Sequence, residues 1–239
     1  MLTCYDFPTA QLLNQSNLDL ILVGDSLGNV LLGYDSTIPV SLNEMIIFGK
    51  AVRRGAPEKF IVLDAPFATY STFTSGIKNL SQLFKETQCE AIKIEGASSF
   101  HLKLIDRLIQ TGVPVMGHIG LKPQSVHVHG GYKLQGKTEQ EKLYLLEEAK
   151  RLEEIGVFCI VLECVNEDVA KEITDQCKIP TIGIGSGIYT DGQVLVYHDL
   201  MGLTSNKVPS FVTPMGNLFE EQKKILNKYL LQNNNENSI

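Results

Sequence analysis

Leu20-Ile21-Leu22-Val23-Gly24-Asp25-Ser26 sets four consecutive aliphatic residues before a glycine, a carboxylate and a hydroxyl. A short, continuously apolar run closed by a turn residue reads as a strand buried on both faces, as in a parallel sheet; a sheet with one wet face would alternate. The pattern recurs along the chain. Phe60–Asp64 ends on Asp64, Ala91–Glu95 (AIKIE) carries Lys93 and Glu95, Val113–His118 ends on His118, and Phe158–Glu163 ends on Glu163. Leu2–Tyr5, Thr181–Gly185 and Val194–His198 bring the strand candidates to eight.

Helical patterns fill the gaps between them. Ser41–Glu44 (SLNE) and Thr138–Glu141 (TEQE) have capping-box spacing, in which the hydroxyl accepts a backbone N–H and the glutamate reaches back. Beyond the second, Leu145, Ala149, Leu152 and Ile155 recur at helical spacing, with Glu and Lys on the other side. Gly112–Pro114 and Ile179-Pro180 end helices and open strands. Eight strands alternating with helices predict an α/β fold, a (β/α)8 TIM barrel. The last joint is short. Strands seven and eight start 13 residues apart, too close for a full helix, which keeps an incomplete barrel or an open sheet as the alternative. With no linker or internal repeat, residues 1–231 read as one barrel domain starting at the first strand, and the polar segment 232–239 as a tail without structure.

Composition narrows the function. The 239 residues carry 21 Lys and Arg against 27 Asp and Glu, a net charge of −6 without a basic block, which argues against nucleic acid and anionic membranes as partners. No apolar run approaches the ~18 residues of a membrane span. The first basic residue is Lys50, so the start reads as neither a signal nor a transit peptide, and a cytoplasmic location is expected. Cys4, Cys89, Cys159, Cys164 and Cys177 are odd in number and lack C-x-x-C spacing, so they read as reduced thiols rather than disulfides or zinc ligands.

The informative polar residues are those at strand ends. Side chains alternate along a strand, so Lys93 and Glu95 share one face while Ile92 and Ile94 take the other, and Val161 and Glu163 pair in the same way. In a barrel the polar phase points inward, and active sites lie at the C-terminal ends of the strands. One such residue is easily a charge stepping into water. Five strands ending this way, one with an embedded lysine, define a site, because buried charges need partners or a metal. Carboxylates and an ammonium converging on one mouth suit a hard cation such as Mg²⁺ together with an anionic ligand. Other signals are weaker. His127 and His129 share a strand face in a Gly-rich loop with no third ligand nearby. Gly183, Gly185 and Gly187 miss the G-x-G-x-x-G spacing. Ser26 lacks the G-x-S-x-G setting of a nucleophile elbow.

Eight stretches at and around these residues resemble the ketopantoate hydroxymethyltransferase family. They are TCYDFPTA (3–10), LVGDSLGNVLLGYDST (22–37), AVRRGAP (51–57), LDAPF (63–67), AIKIEGA (91–97), GHIGLKPQSVHVHGGYKLQGK (117–137), VLECV (161–165) and IPTIGIGSGIYTDGQVLVYHDLMGL (179–203). The resemblance implies a phosphoenolpyruvate-mutase-like barrel. It also implies Mg²⁺ dependence and transfer of a hydroxymethyl group from 5,10-methylenetetrahydrofolate to 3-methyl-2-oxobutanoate, giving 2-dehydropantoate for pantothenate biosynthesis. By motif, Asp25 and Asp64 are implied as direct Mg²⁺ ligands and Glu95 as a further ligand. Asp25, Ser26, Asp64, Lys93 and His118 are implied as substrate-binding residues, Ser26 and Lys93 holding the oxo acid and His118 lying beside it. Glu163 is implied as the catalytic base. Small-molecule substrates, the 2-oxo acid and the folate, are the implied partners, together with a homo-oligomer, in the family commonly a decamer of two rings. A Mg²⁺-dependent lyase acting beside a 2-oxo acid would ask for a similar site, and dependence on methylenetetrahydrofolate separates the two.

Overall fold

A computed structural model describes residues 1–125, 133–204 and 208–236. In chain order the first part runs β1 (Leu2–Thr3), α1 (Phe7–Asn14), β2 (Leu20–Val23), α2 (Leu27–Val30), α3 (Leu42–Gly55), β3 (Phe60–Asp64), α4 (Phe73–Thr87), β4 (Ala91–Glu95), α5 (Ser99–Gln110) and β5 (Val115–Gly120). It continues with α6 (Glu139–Glu154), β6 (Cys159–Glu163), α7 (Glu167–Gln176), β7 (Thr181–Ile184) and β8 (Gly192–Gln193). The eight strands are parallel and neighbour one another in chain order, β1 to β8. The sheet curls into a barrel, and the Met1 nitrogen donates to Gln193 O at 2.9 Å, bringing the edge strands together. All five cysteines are free thiols. Among the described residues, no helix is long and apolar enough to cross a membrane.

Local chemistry sets the element ends. Both predicted capping boxes form: Ser41 with Glu44 opens α3, and Thr138 with Glu141 opens α6. The first strand stops at Thr3, short of the expected Tyr5, because Asp6 caps α1, its carboxylate accepting from Thr9 N at 2.8 Å and Thr9 Oγ1 at 2.9 Å.

The strand expected at Val194–His198 is a correction. The eighth strand is Gly192–Gln193, and Tyr197 instead begins a short helix, α8 (Tyr197–Met201). The Asp191 carboxylate accepts from Thr181 N at 2.8 Å and Thr181 Oγ1 at 3.1 Å. That clamp holds the chain against the start of β7 and pairs Gly192 with Ile182. An apolar run carries no sign of such a clamp. No helix intervenes between β7 and β8, as their spacing required.

By internal packing the chain divides into two compact units, Met1–Val194 and Leu195–Ile239, where composition had indicated one domain reaching residue 231. In the second unit α8 is followed by α9 (Leu218–Glu236). Met215 N donates to Leu200 O at 2.7 Å and Phe219 N to Gly202 O at 2.8 Å. The helix α9 runs through residues 232–236, part of the segment read as unstructured. Each residue added to an existing helix gains a hydrogen bond without a new nucleation cost, so polar composition alone does not stop it.

The inner face of the sheet positions the site. Leu22, Val62, Ala91, Met116, Cys159, Val161, Ile182 and Val194 form one buried interior cluster, with Leu20, Phe60 and Phe158 packed on it. Two residues further along the same phase stand Gly24, Asp64, Lys93, His118 and Glu163. The apolar barrel core therefore gives way to polar groups at the C-terminal end, as the alternation predicted.

Candidate active site

Strand pairing brings the polar residues into line. Asp64 is paired with Lys93, Glu95 with His118, and Gly120 with Glu163. Asp25 and Ser26 follow β2 directly, and the Asp25 backbone N–H donates to Asp64 Oδ2 at 3.0 Å. A Cβ at Gly24 would lie 2.9 Å from Ser26 Oγ and 3.4 Å from Asp64 Oδ2, so glycine leaves that strand end open. The Lys93 Nζ lies 3.0 Å from Asp64 Oδ1 and 3.2 Å from His118 Nδ1. An ammonium only donates, so Nδ1 is the accepting nitrogen and the ring proton sits on Nε2. That Nε2 is 3.3 Å from Glu163 Oε2, off the line of a good hydrogen bond. The His118 Nδ1 is also 3.7 Å from Glu95 Oε1.

The charges do not balance. Asp25, Asp64, Glu95 and Glu163 surround one ammonium, because His118 is neutral: its burial, reinforced by the Lys93 charge, holds it well below the usual imidazole range. Burial pushes the Asp25 carboxyl up to about 7, the Asp64 charge adding to it and Lys93 and Gln124 opposing. Burial and the Asp25 charge likewise raise Glu95 well above the carboxylate range. Burial alone would lower Lys93, but Asp64, Glu95, Asp25 and Glu163 outweigh it and hold the ammonium above its ordinary value. Glu163 is pushed up to about 7 by burial, with Lys93 opposing. Its side chain is 18% exposed, against 5% for Asp64 and 6% for Glu95, and Asp25 is buried as well, which makes Glu163 the carboxylate most open to a ligand. It also lies on β6, four strands from β2 and three from β3, on the far side of the mouth.

The backbone around Glu163 is tightly held. Cys164 adopts φ +47°, a left-handed conformation costly for a residue with a Cβ. Both of its backbone groups are paired: its N–H donates to Ile184 O and its carbonyl accepts from Gln135 N, each at 2.8 Å. On the other side Leu121 N donates to Glu163 O at 2.8 Å, and a Cβ at Gly120 would lie 2.3 Å from that same oxygen. A side chain at Gly120 would force the β5 and β6 ends apart.

Six of the seven residues expected from sequence thus form one connected cluster. The seventh, Ser26, sits beside it with its Oγ 2.8 Å from the hydroxyl of the fully buried Tyr5. His127 and His129 lie outside the described residues. Sequence reasoning missed Gln124 and Tyr70. The Gln124 Nε2 donates to Asp25 Oδ2 at 2.8 Å, and Tyr70 OH donates to Gln124 Oε1 at 3.2 Å. Gln124 stands on a single 3-10 turn and Tyr70 in a loop, where a polar residue carries no periodic signal.

The donors available for a cation are carboxylate oxygens, the set a hard divalent ion prefers, and the Lys93 ammonium alone does not balance four acids. Asp25 and Asp64 are joined through the Asp25 N–H, and Glu95 is linked to Asp25 through Gln124. Among the described residues, no three His, Cys, Asp or Glu converge tightly enough to enclose an ion. Magnesium asks for less, since it commonly takes one or two carboxylates and completes its octahedron with water and substrate oxygens.

A parallel eight-stranded barrel of this kind has close counterparts in fold among solved structures. Over 98% of the chain it matches the crystal structure of 2,3-dimethylmalate lyase, a member of the PEP mutase/isocitrate lyase superfamily, with TM-score 0.62, covering 92% of that chain at 13% identity. Phosphonopyruvate hydrolase, solved with oxalate and Mg²⁺, matches over 96% of the chain and 91% of its own, with TM-score 0.64 and 9% identity. These two establish the fold.

The ketopantoate hydroxymethyltransferase family model matches residues 1–237. The 3-methyl-2-oxobutanoate hydroxymethyltransferase of Thermosipho melanesiensis is 51% identical over 96% of this chain and 86% of its own. That of Leptospira interrogans is 50% identical over 96% and 87%. The chain belongs to the ketopantoate hydroxymethyltransferase family and is a transferase.

Proposed function

We propose that the barrel mouth transfers a hydroxymethyl group from 5,10-methylenetetrahydrofolate to 3-methyl-2-oxobutanoate, giving 2-dehydropantoate for pantothenate synthesis in the cytoplasm. The observation that carries this reading is one buried ammonium among four carboxylates, the most exposed of which stands across the mouth from the other acids. It fits a reaction that removes a proton at one side of a 2-oxo acid and stabilises negative charge at the other.

Glu163 accepts the proton from C3. The electron pair left behind spreads onto the keto oxygen, where Lys93 supplies positive charge fixed in advance by Asp64. Neutral His118, with its proton on Nε2, faces Glu163 and steadies the carboxylate before it takes the proton. C3 then bonds to the folate methylene carbon as the first of that carbon's two carbon–nitrogen bonds breaks, the freed nitrogen taking up the proton equivalent removed from C3. Water then supplies the hydroxyl oxygen to the same carbon as the second carbon–nitrogen bond breaks, its other proton going to the second nitrogen, so that tetrahydrofolate leaves. Ser26, anchored by Tyr5, is available to the substrate carboxylate. Asp25 and Asp64, with Glu95 behind them, would hold Mg²⁺, which when bound would polarise the keto oxygen as a Lewis acid.

Turnover is expected to require both methylenetetrahydrofolate and a divalent cation. Asp64→Asn is expected to lose most Mg²⁺-supported activity, because an amide is a poorer ligand for a hard cation. It also leaves Lys93 without its closest anion. Full activity with an unchanged Mg²⁺ titration in this variant contradicts the metal assignment. The family reading further carries a homo-oligomer, commonly a decamer. Light scattering at micromolar concentration is expected to give a mass several times that of one chain, and a monomer alone refutes it.

A further inference from the structure

Gln124 ties three strand ends together. It is 6% exposed and sits on a short 3-10 turn, Pro123–Ser125, after β5. Its Nε2 donates to Asp25 Oδ2 at 2.8 Å, beyond β2, and to the Ala65 carbonyl at 2.9 Å, beyond β3. Its backbone N–H points at Glu95 Oε2, 3.3 Å away at the end of β4. Its Oε1 accepts from Tyr70 OH at 3.2 Å. Both amide N–H groups and the amide oxygen are therefore used. Turning the amide over would set its oxygen against a carboxylate and a carbonyl, so the network admits one orientation.

We propose that Gln124 is a positioning residue that sets Asp25 and Glu95 for a divalent cation, an inference that rests on the metal reading above. Two buried carboxylates close together repel each other and tend to share a proton instead of binding a cation. Gln124 places a separate donor on each. With Asp25 Oδ2 taken by the amide, Oδ1 becomes the oxygen offered to an ion. Tyr70 serves the same end by holding the amide so that its N–H groups, not its oxygen, face Asp25. Partners that orient a ligand in this way typically change metal affinity 10–100-fold when removed.

Mn²⁺ alone is the probe, with the unbound ion read by electron paramagnetic resonance, so that no turnover is needed. Gln124→Met, similar in length but without donors, is expected to raise the Mn²⁺ dissociation constant at least about 10-fold. Tyr70→Phe keeps the amide and frees its orientation, and is expected to weaken binding in the same direction by a few-fold. A merely structural Gln124 would lower the thermal midpoint and leave Mn²⁺ affinity of the folded protein unchanged. Affinity within twofold of wild type in Gln124→Met overturns the proposal. Should that variant not fold, wild-type affinity in Tyr70→Phe overturns it equally. Asp64→Asn separates the two layers. If it too binds Mn²⁺ like wild type, the metal reading falls and takes this inference with it. If Asp64→Asn binds weakly while Gln124→Met does not, only the role of Gln124 falls.

Discussion

Glu163→Gln is expected to slow exchange of the C3 hydrogen of 3-methyl-2-oxobutanoate with D₂O by about 10³-fold, within the range a positioned general base contributes. Proton NMR follows the loss of the C3 signal without folate, which isolates proton abstraction from one-carbon transfer. Binding of the divalent cation should survive, because Glu163 stands across the mouth from Asp25 and Asp64. The wild-type rate carries a second signature. Burial pushes the Glu163 carboxyl up to about 7, so exchange is expected to rise with pH as that group loses its proton. A cation bound nearby moves this limb to lower pH, and the glutamine variant lacks it. Exchange at the wild-type rate in Glu163→Gln would overturn the assignment of Glu163 as the base.

Lys93→Met should be the most damaging single change to the fold as well as to the chemistry. Among the described residues the ammonium is the cation that faces Asp25, Glu95 and Glu163 as well as Asp64, and its side chain is only 7% exposed. Removing one partner of a buried pair costs about 3–5 kcal/mol, because the remaining charge is left without compensation. The sign of the pH dependence follows from linkage. Without Lys93 the carboxyls have still higher pKa values in the folded state, so they bind protons there that the unfolded chain releases. The variant therefore regains stability as pH falls below neutrality and loses it as pH rises. Urea denaturation of the metal-free protein at pH 5.5 and pH 8 is expected to show the larger deficit at pH 8. An equal deficit at both would mean that the lysine's stem, not its charge, is what the core needs. Turnover is expected to fall about 10²–10³-fold, the cost of losing one group that stabilises developing negative charge.

The fold was legible to the extent that it is written in local periods. Continuous aliphatic runs marked buried parallel strands, and two capping boxes marked where α3 and α6 begin. The period of two placed Lys93 and Glu95 on the side of Ala91, and Glu163 on the side of Val161, before any tertiary contact was known. The misplaced eighth strand shows the limit of this reading. Val194–Val196 is as apolar as a strand, yet the Asp191–Thr181 clamp selects Gly192–Gln193, and that contact spans 10 residues of sequence.

Within the site the same boundary holds at finer scale. Residue type and strand phase by themselves determined most of the groups that line the mouth: the carboxylates of Asp64, Glu95 and Glu163, an ammonium and an imidazole, because side-chain direction follows from covalent geometry within each strand. Asp25 lies past the end of β2, where Gly24 holds the inward phase, and its place was decided by the turn. Only closure of the sheet decided how those groups act on one another. It set Lys93 against His118 Nδ1, which leaves the ring proton on Nε2. It gave Asp25 Oδ2 to Gln124, 99 residues away in the chain, and so distinguished two oxygens that are equivalent in sequence. Burial at the mouth, which depends on every strand and loop around it, set how far the charged form of each acid is disfavoured. Alternation is a property of neighbours along the chain, whereas hydrogen-bond partners and desolvation are properties of the enclosed space, and that space exists only once distant strands have paired.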